Sequence, residues 1–326
     1  MSDTLQSIKP RAMRDTLLSS IVEAMAVDDD IFFATADFGS PVLDQIRERY
    51  PHRFVNVGIA EQNLINVSAG LALEGFKVFA YAIAPFITMR CFEQIRVNLA
   101  LLSTVRPMNV NLIGVGAGYS YVVSGPTHQC YEDLTLMRSL PNMQVLSPAD
   151  QVTSAALASR CLERPGIKYL RLDAQVLPVL YTQGLPDIQR GFHIHCEGEA
   201  LCLVSTGYMT QTALKAAERL TADGLPVTVV DLFDLSGFDE QALIALFARF
   251  RGVVSLEEGF EGRGGLDALL FNLLARRLPE TRLFNVGVTP QYRFELGERA
   301  VLHEQVGIGV DAVIHKVRDF HASLSL

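Results

Sequence analysis

Glu61 is the first residue of this sequence whose type and position suggest chemistry. It follows a short apolar run at residues 54–57, which predicts a strand, and it opens residues 61–74, whose apolar spacing predicts a helix. A glutamate in the first turn of a helix usually interacts favourably with the helix dipole. At the carboxyl end of a parallel strand, however, it would lie where open α/β sheets bind ligands, and a carboxyl group buried there could exchange a proton.

His128 and Asp37 are two further candidates. His128 lies in the run Gly-Pro-Thr-His-Gln that starts at Gly125, ahead of a helix predicted over residues 131–140 with Thr127 as its expected cap. A histidine at such a junction could reach into a cleft and exchange a proton near neutral pH, or it could simply lie at the surface. Asp37 ends the first predicted strand and is either a site residue or a turn-forming residue.

A glycine-rich run at residues 114–118 also follows a predicted strand. Its spacing is GxGxG, and the residues after it do not open a helix. The dinucleotide-binding fingerprint requires GxGxxG at a strand-to-helix turn, so we expect a loop near a site rather than a phosphate cradle.

Strands and helices alternate along most of the chain and supply the scaffold for these residues. Apolar runs predict strands at residues 31–36, 54–57, 78–83, 110–113, 145–146, 167–170, 201–204, 227–230, 253–256 and 283–286. Helical spacing falls between them. Strands that are apolar on both faces and alternate with helices predict an α/β fold with parallel sheets covered by helices.

A polar stretch at residues 181–198 contains glycine and proline, interrupts this alternation and predicts a linker. At 326 residues the chain exceeds the size at which single cores stop growing, about 250–300 residues. We therefore expect two α/β domains, residues 1–180 and 199–326. His193 and His195 fall in the predicted linker and are expected to be solvated.

The composition argues against several classes of function. A net charge of −8 without a Lys/Arg cluster is unfavourable for binding nucleic acid or an anionic membrane. Apolar runs end well short of the roughly 18 residues that suggest a membrane span, and the first residues lack a secretory pattern. Five cysteines without a CxxC pair predict reduced thiols in a cytoplasmic protein, with no metal site in this chain.

Several ordered motifs together resemble the transketolase family. Gly-Pro-Thr-His-Gln from Gly125, Glu-Asp-Leu from Glu132, Met-Arg-Ser-Leu-Pro-Asn-Met-Gln-Val from Met137 and Ser-Pro-Ala-Asp from Ser147 are similar to the pyrimidine-binding domain of transketolases. Gly-Ile-Ala-Glu-Gln at residues 58–62 resembles split transketolases, 1-deoxyxylulose-5-phosphate synthases and the β subunits of 2-oxo-acid dehydrogenase complexes. The remainder resembles the family's C-terminal domain, so the resemblance covers nearly the whole chain.

The resemblance implies thiamine diphosphate as the cofactor. In this family a glutamate at the position of Glu61 hydrogen-bonds N1′ of the cofactor's aminopyrimidine and thereby promotes proton loss from its thiazolium carbon. His128 matches the histidine that faces this carbon and the substrate oxygens. Asp37 matches an aspartate that helps to place the cofactor, and Phe86 is expected to stack on the pyrimidine.

For the substrate, the resemblance implies a phosphate clamp formed by Arg14 and Arg171, because two guanidinium forks suit a phosphate dianion. Surface salt bridges are the alternative for both arginines. Ser40 lies next to the position of a phosphate-binding serine, where this chain has proline. Ser124 replaces the acid that usually precedes the Gly-Pro-Thr-His run, and the family's upstream histidine is absent from residues 114–123. The sugar substrate therefore stays open.

The family's diphosphate-binding domain carries a Gly-Asp-Gly motif followed by an asparagine that holds Mg²⁺, and this sequence has no match to it. The resemblance therefore implies a partner subunit that brings the diphosphate and Mg²⁺ site, in a heterotetramer whose active site lies at the interface. The implied activity is the transfer of a two-carbon ketol unit between sugars or sugar phosphates.

Three other interpretations compete with this one. The chain could be a β subunit of a 2-oxo-acid dehydrogenase complex, although those chains generally lack the Gly-Pro-Thr-His-Gln run. It could be the C-terminal half of an enzyme similar to 1-deoxyxylulose-5-phosphate synthase. It could also be a non-catalytic partner, but the joint presence of Glu61, His128 and Asp37 argues against that role.

Overall fold

Two α/β domains are present in the computed structural model, which describes residues 9–324. The first has a parallel six-stranded sheet in the order β2-β1-β3-β4-β6-β5, formed by β1 (Ile31–Thr35), β2 (Phe54–Asn56), β3 (Lys77–Ile83), β4 (Asn109–Val115), β5 (Met143–Leu146) and β6 (Gly166–Leu172). The second has a five-stranded sheet in the order β11-β10-β8-β9-β7, formed by β7 (Phe192–Cys196), β8 (Cys202–Ser205), β9 (Thr228–Leu232), β10 (Gly252–Phe260) and β11 (Arg282–Val288). The predicted α/β fold is confirmed, with one antiparallel edge strand, β7.

Helices connect the strands in both domains. The first domain contains α1 (Met13–Met25), α2 (Pro41–Arg49), α3 (Glu61–Leu73), α4 (Phe92–Gln94), α5 (Asp133–Arg138) and α6 (Gln151–Glu163). The second contains α7 (Met209–Ala222), α8 (Glu240–Phe247), α9 (Leu266–Arg277), α10 (Arg299–Gln305) and α11 (Val310–Ser323). On either side of α4 the backbone forms wider π-helical turns at Phe86–Arg90 and Ile95–Leu101. Such turns are frequent at functional sites.

Buried apolar residues from the two domains form a shared cluster. Strand β3 pairs in parallel with β1 and with β4 and is buried along most of its length. One cluster of buried apolar residues includes Val110 and Leu134 of the first domain together with Val204 and Val230 of the second. Because the cluster is continuous, burial of apolar surface stabilises the two domains against each other as well as internally.

The linker is shorter than the sequence predicted. Residues 192–196 form β7, which pairs antiparallel with β9 and belongs to the second sheet. His193 and His195 are half-buried rather than solvated, and their rings lie 5.1 and 4.8 Å from the ring of Tyr181. An edge strand carries polar residues on its open side, so its sequence resembles that of a loop.

A buried ionic cluster joins the two domains. Arg299, the first residue of α10, donates to Glu258 at 3.0 and 2.6 Å and to Asp173 at 2.6 Å. Glu258 lies on β10, whereas Asp173 directly follows β6 in the first domain. Burial alone would raise the pKa of Glu258, but the charges of Arg299 and His303 hold this pKa well below its ordinary value. Glu258 is therefore ionised in the folded protein, whereas burial raises the pKa of Asp173 although Arg299 opposes the rise.

Replacing Arg299 with alanine should lower the free energy of unfolding by about 3–5 kcal/mol, because two buried carboxylates lose their cation. Urea titration followed by far-UV circular dichroism measures this difference. Since the pKa of Glu258 is depressed by folding, the stabilisation is present above the unfolded carboxyl pKa of about 4.3 and is lost as the pH falls below it.

The control for this prediction is Arg318→Ala. Arg318 pairs with Asp223 at the surface, and such exposed pairs contribute about 0–1 kcal/mol. A loss below about 1 kcal/mol for Arg299→Ala, equal to that of the control, would contradict a role in joining the domains.

Candidate active site

Glu61 lies at the carboxyl edge of the parallel sheet, as its position in the sequence predicted. It is the first residue of α3, a short turn after Asn56 ends β2, and its side chain is only 3% exposed. Gly58, with φ of +76°, turns the chain between strand and helix. The turn therefore delivers a carboxylate into a buried position where ligands bind in sheets of this type.

Arg90 is the partner of Glu61, and sequence reasoning missed it. Its Nη1 donates to both carboxylate oxygens of Glu61, at 2.9 and 2.7 Å, while its Cζ lies 4.4 Å from the centroid of the Phe86 ring. The π-helical turn Phe86–Arg90 places this guanidinium over the ring four residues earlier. Arg90 is 45% exposed and thus covers Glu61 on its solvent side.

His128 contacts Phe86, the ring over which Arg90 also lies. Its imidazole makes edge contacts with the rings of Phe86 and Tyr121, with centroids 5.3 and 6.0 Å apart. Helix α5 begins at Asp133, later than predicted, and Thr127 does not cap it. The Thr127 hydroxyl instead lies 3.0 Å from Nδ1 of His128, which positions the ring.

Asp37 is exposed and strained. It is the one non-glycine residue with positive φ, +50°, among residues 9–324. Asn56 at the end of β2 holds it, because the Asn56 side chain accepts from the Asp37 N–H at 3.0 Å and donates to its carboxylate at 3.1 Å. Strain of this kind persists only where neighbouring contacts fix it, and it clusters at functional sites.

The predicted substrate residues occupy different environments. Arg14 is partly exposed on α1 and donates from Nε to Asp15 at 2.8 Å. Ser124 is exposed in the loop that precedes His128. Ser40 is buried, and its hydroxyl accepts from the N–H of Leu43 as the N-cap of α2. The Ser40 hydroxyl is thus already used to start a helix.

Arg171 does not reach the cleft, which corrects the expectation of a two-arginine phosphate clamp. It is 2% exposed, donates from Nε to Asp133 at 2.8 Å and also contacts the Glu258 carbonyl at 3.3 Å. Burial by itself would lower the pKa of Arg171, but Asp133 reverses this and raises it. Arg171 lies near the end of β6, and its side chain turns into the protein, where Asp133 neutralises it.

A groove of about 520 Å³ lies on the exposed side of Phe86 and Arg90. Its lining includes Phe86, Arg90, Thr127 and Glu132 from the first domain and Tyr292 from the second. The Tyr292 hydroxyl donates to Glu132 at 2.8 Å, so both domains shape the groove. It is open to solvent on the side where Arg90 is exposed.

Metal ligands do not cluster in the part of the chain that the structure describes. Within residues 9–324, no three His, Cys, Asp or Glu side chains lie close enough to ligate a metal ion. In the same range, no helix combines the length and apolar character that crossing a bilayer requires.

Comparison with known families agrees with this geometry. Residues 9–179 match the family described as transketolase, pyrimidine binding domain, and residues 191–313 match transketolase, C-terminal domain. The chain belongs to the transketolase family, whose members depend on thiamine diphosphate.

Two curated relatives are similar over most of their length. A subunit of the apulose-4-phosphate transketolase of Actinobacillus succinogenes is 29% identical over 267 residues, covering 82% of this chain and 84% of the relative. The 6-deoxy-6-sulfo-D-fructose transketolase subunit SqwH of a Clostridium species is 28% identical over 314 residues, covering 94% of each.

Solved structures show the same architecture. A split-gene transketolase described as an inactive β4 tetramer superposes with a TM-score of 0.83 at 31% identity, covering 95% of this chain and 98% of that one. A transketolase of Pichia stipitis gives a TM-score of 0.80 at 18% identity, and this chain spans 47% of its length. At that identity the likeness concerns the fold alone.

Proposed function

We propose that this chain is the pyrimidine-binding subunit of a split transketolase that transfers a two-carbon ketol unit between sugars. The observation that carries the proposal is the buried carboxylate of Glu61 at the carboxyl edge of the sheet, which Arg90 links to the Phe86 ring that contacts His128. A carboxylate next to an aromatic face suits an aminopyrimidine, which needs a hydrogen-bond partner and a stacking surface. In this chain the planar guanidinium of Arg90 already donates to the Glu61 carboxylate and lies over the Phe86 ring.

Each residue has a role in this proposal. Glu61 shares a proton with N1′ of the pyrimidine, Phe86 stacks on that ring, and Asp37 helps to orient it. When bound, thiamine diphosphate would supply a nucleophilic carbon for the ketone and an electron sink for the carbon–carbon bond of the donor that is then broken. His128, held through Nδ1 by Thr127, hydrogen-bonds the substrate oxygens and moves protons there.

A partner subunit completes the active site in this proposal. We assign to this partner the residues that bind the cofactor's diphosphate and Mg²⁺, together with the remaining face of the groove. The two kinds of subunit form a heterotetramer in this proposal. Support comes from the names of the relatives, one named as a transketolase subunit and another as the product of a split gene. Further support comes from the groove, because it opens to solvent beside Phe86 and Arg90 rather than enclosing them.

The substrates are proposed to be sugars that carry an oxyanion. The two relatives are named for a sugar phosphate and for a sulfonated sugar, both of which end in a tetrahedral oxyanion. Arg14 is proposed to bind this group, and the exposed Ser124 to contact a sugar hydroxyl. Ser40 would contribute through the turn that it caps rather than through its hydroxyl.

The test is to purify this chain with its partner subunit and to assay ketol transfer with thiamine diphosphate and Mg²⁺. Replacing Glu61 with glutamine keeps the side-chain shape but removes the shared proton. We expect kcat to fall by about 10²–10⁴-fold, the usual contribution of general acid–base catalysis. Thermal unfolding should remain that of the wild type, which separates a chemical role from a structural one.

The matched control is Glu93→Gln, which changes an exposed surface glutamate paired with Arg96 and should keep full activity. Unchanged turnover in Glu61→Gln would refute the role of Glu61. Activity of this chain without a partner would refute the split active site.

Arg90 competes with the pyrimidine for Glu61 and Phe86, so Arg90→Ala should tighten thiamine diphosphate binding. Because Arg90 is 45% exposed, we take the contribution of its ion pair as about 0.2–1 kcal/mol and expect the Kd to fall by up to about fivefold. Isothermal titration of the complex measures this change, with Arg96→Ala as the surface control. A weaker affinity in Arg90→Ala would identify Arg90 as a ligand of the pyrimidine instead.

A further inference from the structure

Tyr121 is held in a fixed position next to His128 by an unusual loop. Gly116, with φ of +109°, leaves room for the ring, because a Cβ at this position would lie 2.1 Å from Cε2 of Tyr121. The loop is anchored on both sides. The N–H groups of residues 116 and 117 donate to Leu172 at 2.9 and 3.1 Å, and Gly118 exchanges two 3.0 Å backbone bonds with Cys130. The loop expected from the glycine run is therefore rigid.

The Tyr121 ring packs against His128, the residue to which the proposed function assigns the substrate oxygens. This ring meets the His128 imidazole at 6.0 Å and 79° and is half-buried. Burial raises the pKa of Tyr121 to about 12 although the charge of Arg14 opposes the rise, so the phenol stays protonated at neutral pH. A neutral phenol can donate a hydrogen bond to an anion at neutral pH.

Arg14 and Tyr81 complete a polar group around this phenol. Tyr81 is fully buried, and Arg14 lies beside its hydroxyl. The charge of Arg14 acts on both phenols, and its Nε is already bonded to Asp15. Arg14 therefore lies near enough to act on Tyr121 through its charge, and the Tyr121 ring in turn contacts His128.

We propose that Tyr121 is a specificity-determining residue that, together with Arg14, binds the tetrahedral oxyanion of the sugar substrate. The inference rests on the proposed function, since it needs a sugar held at His128. With Arg171 bonded to Asp133, a phenol takes the place of a second cation. A guanidinium and a neutral donor suit a phosphate or a sulfonate, which both present oxygens tetrahedrally.

The experiment uses Tyr121→Phe in the complex with the partner subunit. Steady-state rates are measured with a phosphorylated sugar, a sulfonated sugar and an uncharged sugar. We expect KM for the sugar with the matching oxyanion to rise about tenfold or more, the effect of losing a hydrogen bond to a charged group. The kcat, the KM for the uncharged sugar and the Kd for thiamine diphosphate should stay within twofold.

Tyr119→Phe is the matched control, because this phenol is 1% exposed and packs against Tyr131 and His303 away from His128. It should leave every KM within twofold. Competition by inorganic phosphate and by sulfate gives a second readout, since Tyr121→Phe should weaken inhibition by both anions in parallel with KM.

Two results would overturn the inference. One is an unchanged KM for both oxyanionic sugars in Tyr121→Phe, and the other is an equal fall in rate for all three sugars. The oxyanionic sugar whose KM rises more in Tyr121→Phe shows whether the site is built for a phosphate or for a sulfonate. A wild-type complex that binds thiamine diphosphate but transfers no ketol unit would refute the proposed function instead.

Discussion

The carboxylate of Glu61 is buried at the end of a parallel sheet, and a buried charge needs a partner. In this chain the partner is Arg90, which lies at the solvent side of the same pocket and is itself half-exposed. The residues around Glu61 are arranged so that Arg90 pairs with this carboxylate. The π-helical turn brings Arg90 over Phe86, and the short Gly58 turn fixes the carboxylate. In the proposed function, a pyrimidine takes the place of Arg90 at both Glu61 and Phe86.

The two domains behave as one unit because ionic groups that cannot reach water are paired across their junction. Arg299 binds carboxylates from both domains, and Arg171 is bonded to Asp133 and to the Glu258 carbonyl. This pairing also decides which arginine is free for a ligand. Arg171 is used for structure, whereas Arg14 keeps a partly exposed position. A rigid junction in turn keeps Tyr292 against Glu132, at the edge of the groove.

The sequence predicted the strands of the first sheet and the start of α3 well, because runs that are apolar on both faces leave little alternative to a buried parallel strand. It also predicted that Glu61, Phe86 and His128 belong together, but only through a family resemblance. Arg90 and Tyr121 were missed since their importance depends on a π-helical turn and on space above Gly116, which periodicity does not reveal. Arg171 was misassigned because burial of an arginine depends on a distant carboxylate.

Glu61 is proposed to hold the pyrimidine of the cofactor, and Arg90 to give way to it. A crystal structure of this chain with its partner subunit and thiamine diphosphate tests both points directly. We expect a Glu61 oxygen within about 2.6–3.2 Å of N1′, with Arg90 no longer bonded to both carboxylate oxygens. A bound cofactor whose N1′ lies beyond hydrogen-bond distance, with the Arg90 and Glu61 pair intact, would contradict the proposal.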